Sequence, residues 1–154
     1  MGYDDLLLLT DAAGLTVKEK DLLAHDGLIY GRNIAIRRTI ETSQQKACTL
    51  AEEIGHAATS AGDITDYSNP NNWKQETKAR SFGYRLMIGL DGIIDACKAG
   101  CQTEHEAAEC LGCTVQYLRE AISRFREIYG VKTEHDGYTI FFEPSISIRR
   151  NELT

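Results

Sequence analysis

The sequence predicts an α+β fold, mainly α, on three observations. Apolar residues recur at helical spacing over 42–61, 73–90 and 103–130, capping boxes open two of these runs, and period-two alternation is confined to short stretches. A motif-bearing helix with a small β-sheet should therefore precede a helix-turn-helix-like C-terminal part and a short hairpin. The expected organisation is a core over residues 1–100 and a subdomain over 101–154 packed on it.

Residues 4–24 read as a helical hairpin or a pair of short helices broken at Gly14. In "GLIYGRNIAIRRTIE", Leu28 and Tyr30, then Ile34 and Ile36, alternate with other residues about a Gly31-Arg32-Asn33 turn, which is a β-hairpin signature. Thr42-Ser43-Gln44-Gln45 is a capping box, and the helix it opens should run to about Ala61, with Gly62 as its stop. On that helix Ala47, Leu50, Ile54, Ala58 and Ala61 share one face, while Glu52, Glu53 and His56 lie roughly opposite.

"DITDYSNPNN" reads as a loop, because Pro70 forbids a continuing helix. The next helix should begin near Asn72 or Trp73, capped by Asn72, and end near Leu90. Along it Glu76, Ala79, Gly83 and Met87 form a stripe, and the small residues at 79 and 83 predict a close approach to the helix carrying His56. Asp91-Gly92 predicts a break, with Asp91 capping a short helix that ends near Gly100. Thr103-x-x-Glu106 opens another helix, Leu111-Gly112-Cys113 turns the chain, and Thr114 caps a helix stopping at Gly130: a helix-turn-helix look. "YTIFFEPSISIRR" supplies two short strands around Pro144, and there is no internal repeat.

Composition bounds the function. A chain of 154 residues is one domain's worth, and 42% hydrophobic with 26% charged residues is ordinary for a soluble globular protein. The net charge of −6 gives no electrostatic reason for a nucleic-acid partner. "MGYDDLLLLTDAAG" lacks a basic leader and a long apolar run, so neither a signal peptide nor a membrane span is expected. Five cysteines without a secretion signal suggest reduced thiols and a cytoplasmic location.

The chemistry concentrates in "CTLAEEIGHAATSAGDI". Its Glu52-Glu53-Ile54-Gly55-His56 is one letter from the zinc-peptidase pattern H-E-x-x-H. Residues four apart project on one side of a helix, so Glu52 and His56 can reach one ion. Glu53, on the edge of that face, can contact water at the ion, and Glu76 on the next helix can supply a third ligand. A solvated helix face is the competing reading of the same letters.

"TLAEEIGHAATSAGDI" followed by "WKQETKARSFGYRLMI", with "GLIYGRNIAIRR" before and "EAAECLGCTVQYLREAISRFREIYG" after, resembles the ImmA/IrrE family of metallopeptidases, in particular the short versions encoded by prophages and mobile elements. The resemblance covers most of the chain and implies a zincin-like motif helix. It assigns Glu53 as general base and His56 and Glu76 as zinc ligands, while Glu52 stands where the family has its first histidine. It also implies that the strand near Ile34 and Ile36 holds substrate by edge pairing. The implied reaction is attack of water on a peptide carbonyl, with Glu53 taking the proton and passing it to the leaving amine. The implied partner is a repressor protein, cleaved to relieve repression in a bacterial host cell.

Other residues carry weaker signals. Tyr84 is a candidate for polarising an oxyanion or a plain buried tyrosine, and Asp63 and Asp66 are candidates to orient His56. Cys97, Cys101, Cys110 and Cys113 with His105 have zinc-ligand spacing, but small buried thiols in apolar helical segments are the favoured reading. His25 and His135 read as exposed turn residues. Residues 103–150 hold six basic and eight acidic side chains, which argues against direct DNA binding by Arg119, Arg124 or Arg126. Two alternatives to the peptidase stand open: a non-proteolytic antirepressor using the same cleft, and a DNA-binding regulator using the C-terminal part.

Overall fold

A computed structural model describes residues 1–60 and 70–152, and the order of elements is helix, three strands, five helices, three strands. Helix α1 (Tyr3–Ala12) ends at Gly14, whose φ of +75° suits glycine. Strand β1 (Thr16–Lys20) follows where the sequence suggested a second short helix. Pairing decides the difference: β1 lies parallel to β3 (Asn33–Arg37) with Val17 opposite Ile34, and this ladder overrides the helix-favouring Lys-Glu-Lys composition. The Arg32 guanidinium locks the junction by donating to the carbonyls of Ala13 and Gly14 at 2.6 and 3.0 Å.

Strand β2 (Gly27–Tyr30) pairs antiparallel with β3 through the Gly31-Arg32 turn, as the alternation predicted. The strand order is β1-β3-β2, so β3 is the middle strand. Ile34 and Ile36 are 2% and 0% exposed and belong to the core. The expectation that this strand offers an edge to substrate is therefore corrected: both its edges are paired, and the outer edges of the sheet belong to β1 and β2.

Helix α2 (Ser43–Thr59) starts at the predicted box, with the Thr42 hydroxyl accepting from the Gln45 amide at 3.1 Å. Helix α3 (Pro70–Met87) begins earlier than expected, at a proline, which tolerates the first helical turn because its missing N–H has no partner there. Asn72 thus lies inside the helix and does not cap it. The predicted stop at Gly62 and most of the 63–72 loop lie outside the described residues.

The two helices meet backbone to backbone. A Cβ placed on Gly55 would lie 2.0 Å from the Ala79 carbonyl oxygen, and one on Gly83 would lie 3.0 Å from that of Ala51. The small residues at 79 and 83 do permit the approach, and Gly55 is the counterpart that the sequence reading passed over.

Helix α4 (Gly89–Lys98) follows a break at Gly89, φ +59°, rather than at Asp91-Gly92; Asp91 sits within its first turn. Helices α5 (Glu104–Leu111) and α6 (Val115–Tyr129) carry the expected caps, Thr103 to the Glu106 amide and Thr114 to the Tyr117 amide, around Gly112 at φ +73°. Strands β4 (Lys132–His135), β5 (Tyr138–Phe141) and β6 (Ser147–Arg150) form an antiparallel sheet in that order. β4 was not anticipated because its sequence, KTEH, is polar throughout. His135, read as a turn residue, lies in it with Nε2 2.8 Å from an Asp91 carboxylate oxygen. Buried apolar residues form one cluster from Leu6 through Leu50 and Phe125 to Phe142, crossing position 100.

Candidate metal centre

Three donors converge where α2 and α3 touch. His56 Nε2 lies 3.3 Å from a Glu76 oxygen and 4.0 Å from a Glu52 oxygen. One donor atom from each of Glu52, His56 and Glu76 falls within 4.8 Å of the others, the one such group of three among the described residues. Helical spacing places Glu52 and His56 on the same side of α2, and the Gly55–Ala79 contact brings Glu76 across from them.

This arrangement leaves polar atoms short of partners. His56 and Glu76 are 6% and 5% exposed; the only partner of Glu76 Oε2 among the described residues is His56 Nε2 at 3.3 Å, and His56 Nδ1 makes no hydrogen bond among them. Buried donors and acceptors of this kind are costly unless something satisfies them. Two carboxylates turned toward His56 Nε2 are a donor set that fits zinc, which takes oxygen and nitrogen ligands, and Nδ1 on the other side of the ring is left for a group that would orient it. Asp63 and Asp66, the candidates to orient His56, lie outside the described residues.

Glu53 is buried beside this group and faces the sheet. A Cβ on Gly27 would sit 2.9 Å from a Glu53 carboxylate oxygen and 3.0 Å from its Cγ. Gly27, at the start of β2, is thus the residue that leaves room for Glu53, and a lone glycine in a strand pattern was the available sign of close approach. Burial, then the charges of Glu52 and Glu76, push the Glu53 carboxyl up to about 8. Burial and the Glu76 carboxylate push Glu52 up to about 7, against the pull of Arg80. His56 is lowered, chiefly by burial.

Arg80, which the sequence reading did not single out, completes the electrostatics. Its Nε donates to Glu76 at 3.1 Å and lies 3.7 Å from Glu52. Tyr84, one turn on, is 7% exposed, and its hydroxyl donates to Glu120 at 3.5 Å. Burial and Glu120 raise it to about 12. It shares a small pocket with Glu52 and Arg80. Ile34 and Ile36 are brought to the core, away from any solvent-facing position.

The cysteines with His105 do not form a comparable group of three donors among the described residues. Cys97 and Cys101 line a hollow of about 460 Å³ between α4, α5, α6 and Ile146, Cys110 is exposed, and Cys113 is buried, with its thiol pushed up to about 12.

The model of one protein family, the IrrE N-terminal-like domain (Peptidase_M78), matches residues 10–139. No curated protein and no solved structure matches the chain.

Proposed function

The chain belongs to the IrrE N-terminal-like metallopeptidase family, and on that premise we propose that it is a zinc-dependent endopeptidase that cleaves a repressor protein of a prophage or mobile element. The observation that carries the reading is the convergence of Glu52, His56 and Glu76 with Glu53 buried beside them. Those three side chains would hold the zinc, which supplies Lewis acidity and acidifies water.

The chain's own residues do the rest. Glu53 takes a proton from the attacking water and returns it to the leaving amine. In the free protein its raised pKa keeps it protonated near neutrality, and two of the three causes are the charges on Glu52 and Glu76. Were Glu52 and Glu76 neutralised by a bound dication, the Glu53 carboxyl would move down toward the ionised form that a base requires, against the burial that remains. Arg80 holds Glu52 and Glu76 in place while leaving Glu53 untouched. Substrate pairs along the free edge of β2, where Leu28 and Tyr30 are exposed.

One observation favours the non-proteolytic antirepressor: Arg80 already supplies a cation to Glu52 and Glu76, so one of the two carboxylate charges is offset without a metal. The arginines that would meet DNA phosphates are each held by a carboxylate, Arg119 by Glu104, Arg124 by Glu127 and Arg126 by Glu143.

The deciding experiment is metal content of untagged protein purified without chelator, beside His56→Ala and Glu76→Ala. Near one zinc per chain, lost in both variants, supports the peptidase. A folded protein that stays metal-free after zinc is added back sinks it and leaves the antirepressor reading.

A further inference from the structure

Beside the metal centre lies a second polar hollow of about 130 Å³, lined by Glu52, Arg80, Tyr84, Tyr117 and Glu120. We propose that it is a specificity subsite that takes the lysine or arginine side chain of a polypeptide substrate, positioned by its shared wall, Glu52. The occupant rests on the peptidase reading; the pocket's preference for a cation does not.

Three features make it a site rather than a dent. The Tyr117 side chain is 9% exposed, and its hydroxyl is buried without a hydrogen-bond partner among the described residues. That hydroxyl is kept clear by a glycine: a Cβ on Gly83 would approach it to 3.0 Å. A buried hydroxyl that has been given space and no partner is an acceptor waiting for a donor.

The second feature is the charge. Arg80 is committed to Glu76 at 3.1 Å and Glu52 at 3.7 Å. Among the described residues the carboxylate of Glu120 has only neutral donors, the Gln116 amide at 2.8 Å and the Tyr84 hydroxyl at 3.5 Å. With Glu52 turned to the metal centre and Arg80 held by Glu76, Glu120 is the carboxylate of the hollow left to meet an entering cation. Glu120, on the exposed face of α6, forms the mouth, and the two tyrosines form the floor.

The third is size and surroundings. The volume suits about four water molecules, the space of a side-chain head group and not of a peptide backbone. Tyr84 and Tyr117 pack edge to face with ring centroids 5.1 Å apart, giving an aromatic floor of the kind on which ammonium and guanidinium groups rest. Glu120, Tyr84 and Tyr117 each offer an oxygen as acceptor, and a guanidinium or ammonium offers several donors and no acceptor.

The test uses the full chain loaded with zinc on a mixed peptide library, with cut sites read by mass spectrometry, beside Glu120→Lys. In parallel, N-acetyl-arginine methylamide is titrated into each protein, and tyrosine ring resonances are followed by NMR. The expected result is a roughly tenfold enrichment of lysine or arginine at one fixed position about the cut, turned toward acidic residues in Glu120→Lys. Cuts without a basic preference, or a preference unmoved by Glu120→Lys, overturn the subsite while the peptidase stands. No cuts, but probe-induced shifts at Tyr84 and Tyr117 that vanish in Glu120→Lys, uphold the pocket and reject the peptidase. No cuts and no shifts overturn the pocket.

Discussion

At the scale of single residues, the site's behaviour turns on where protons sit. Glu53 has an ordinary value of 4.5 and is held near 8 in the fold, so between those values the folded chain keeps a proton that the unfolded chain has lost. Stability of the metal-free protein should therefore fall as pH rises through that window. His56, lowered by burial, acts in the opposite direction below its ordinary value of 6.5, which leaves pH 6.5 to 8 to the carboxylates. Urea unfolding of the metal-free protein across that range should show a declining midpoint, and Glu53→Gln should flatten the decline. An equal slope in both proteins would remove Glu53 as its source. With zinc, Glu53→Gln should retain the metal and lose cleavage by at least about a hundredfold, as removal of a general base does. Thiol reactivity is a separate check: a maleimide at pH 8 should label exposed Cys110 and spare Cys113, whose thiol is pushed to about 12, as peptide mapping would show.

At the scale of elements, the contact between α2 and α3 governs. The Ala79 carbonyl stands 2.0 Å from where a methyl on Gly55 would go, so Gly55→Ala must push the helices apart. It should cost about 1–3 kcal/mol in chemical denaturation and weaken zinc binding as well, because Glu76 moves with α3. Thr42→Ala, which removes only a cap, should cost about 1 kcal/mol and leave zinc binding unchanged. Helix caps were legible because Thr42, Thr103 and Thr114 act within four residues of themselves. The stripe of Ala79 and Gly83 was legible too, since glycine in a helix needs a reason. Strands β1 and β4 were not: both are largely polar, β1 is a strand only because β3, well along the chain, pairs with it, and β4 is one arm of a tight hairpin with β5 about Asp136-Gly137. The same distance hid the middle position of β3, which no local pattern reports.

At the scale of the whole molecule, one apolar cluster from Leu6 to Phe142 joins the N-terminal part to the C-terminal helices and sheet, and no described helix is long and apolar enough to cross a membrane. A ligand that binds only the folded chain stabilises all of it. Zinc at a hundredfold excess over its Kd should add about 2.7 kcal/mol, roughly 5–10 °C in Tm, reversed by chelator in a calorimeter. Identical melting with and without zinc would count against the metal centre. The convergence of Glu52 and His56 was readable from their four-residue spacing, and that of Glu76 from its place on the next helix together with the family resemblance. Gly27, Arg80 and the Tyr117 pocket were not, since each matters only through a neighbour far along the chain.

The backbone contact at Gly55 and Ala79 works like a caliper with a fixed jaw. The gap between His56 and Glu76 is set by main-chain atoms in touch, with no side chain between them to be exchanged for a larger or smaller one. Trimming or refilling the interior elsewhere, at Phe125 or Phe142 for instance, can make the protein sturdier or frailer without resetting the aperture in which an ion sits. How firmly this chain folds and which ion it prefers should therefore drift independently, with position 55 as the place where the two are tied.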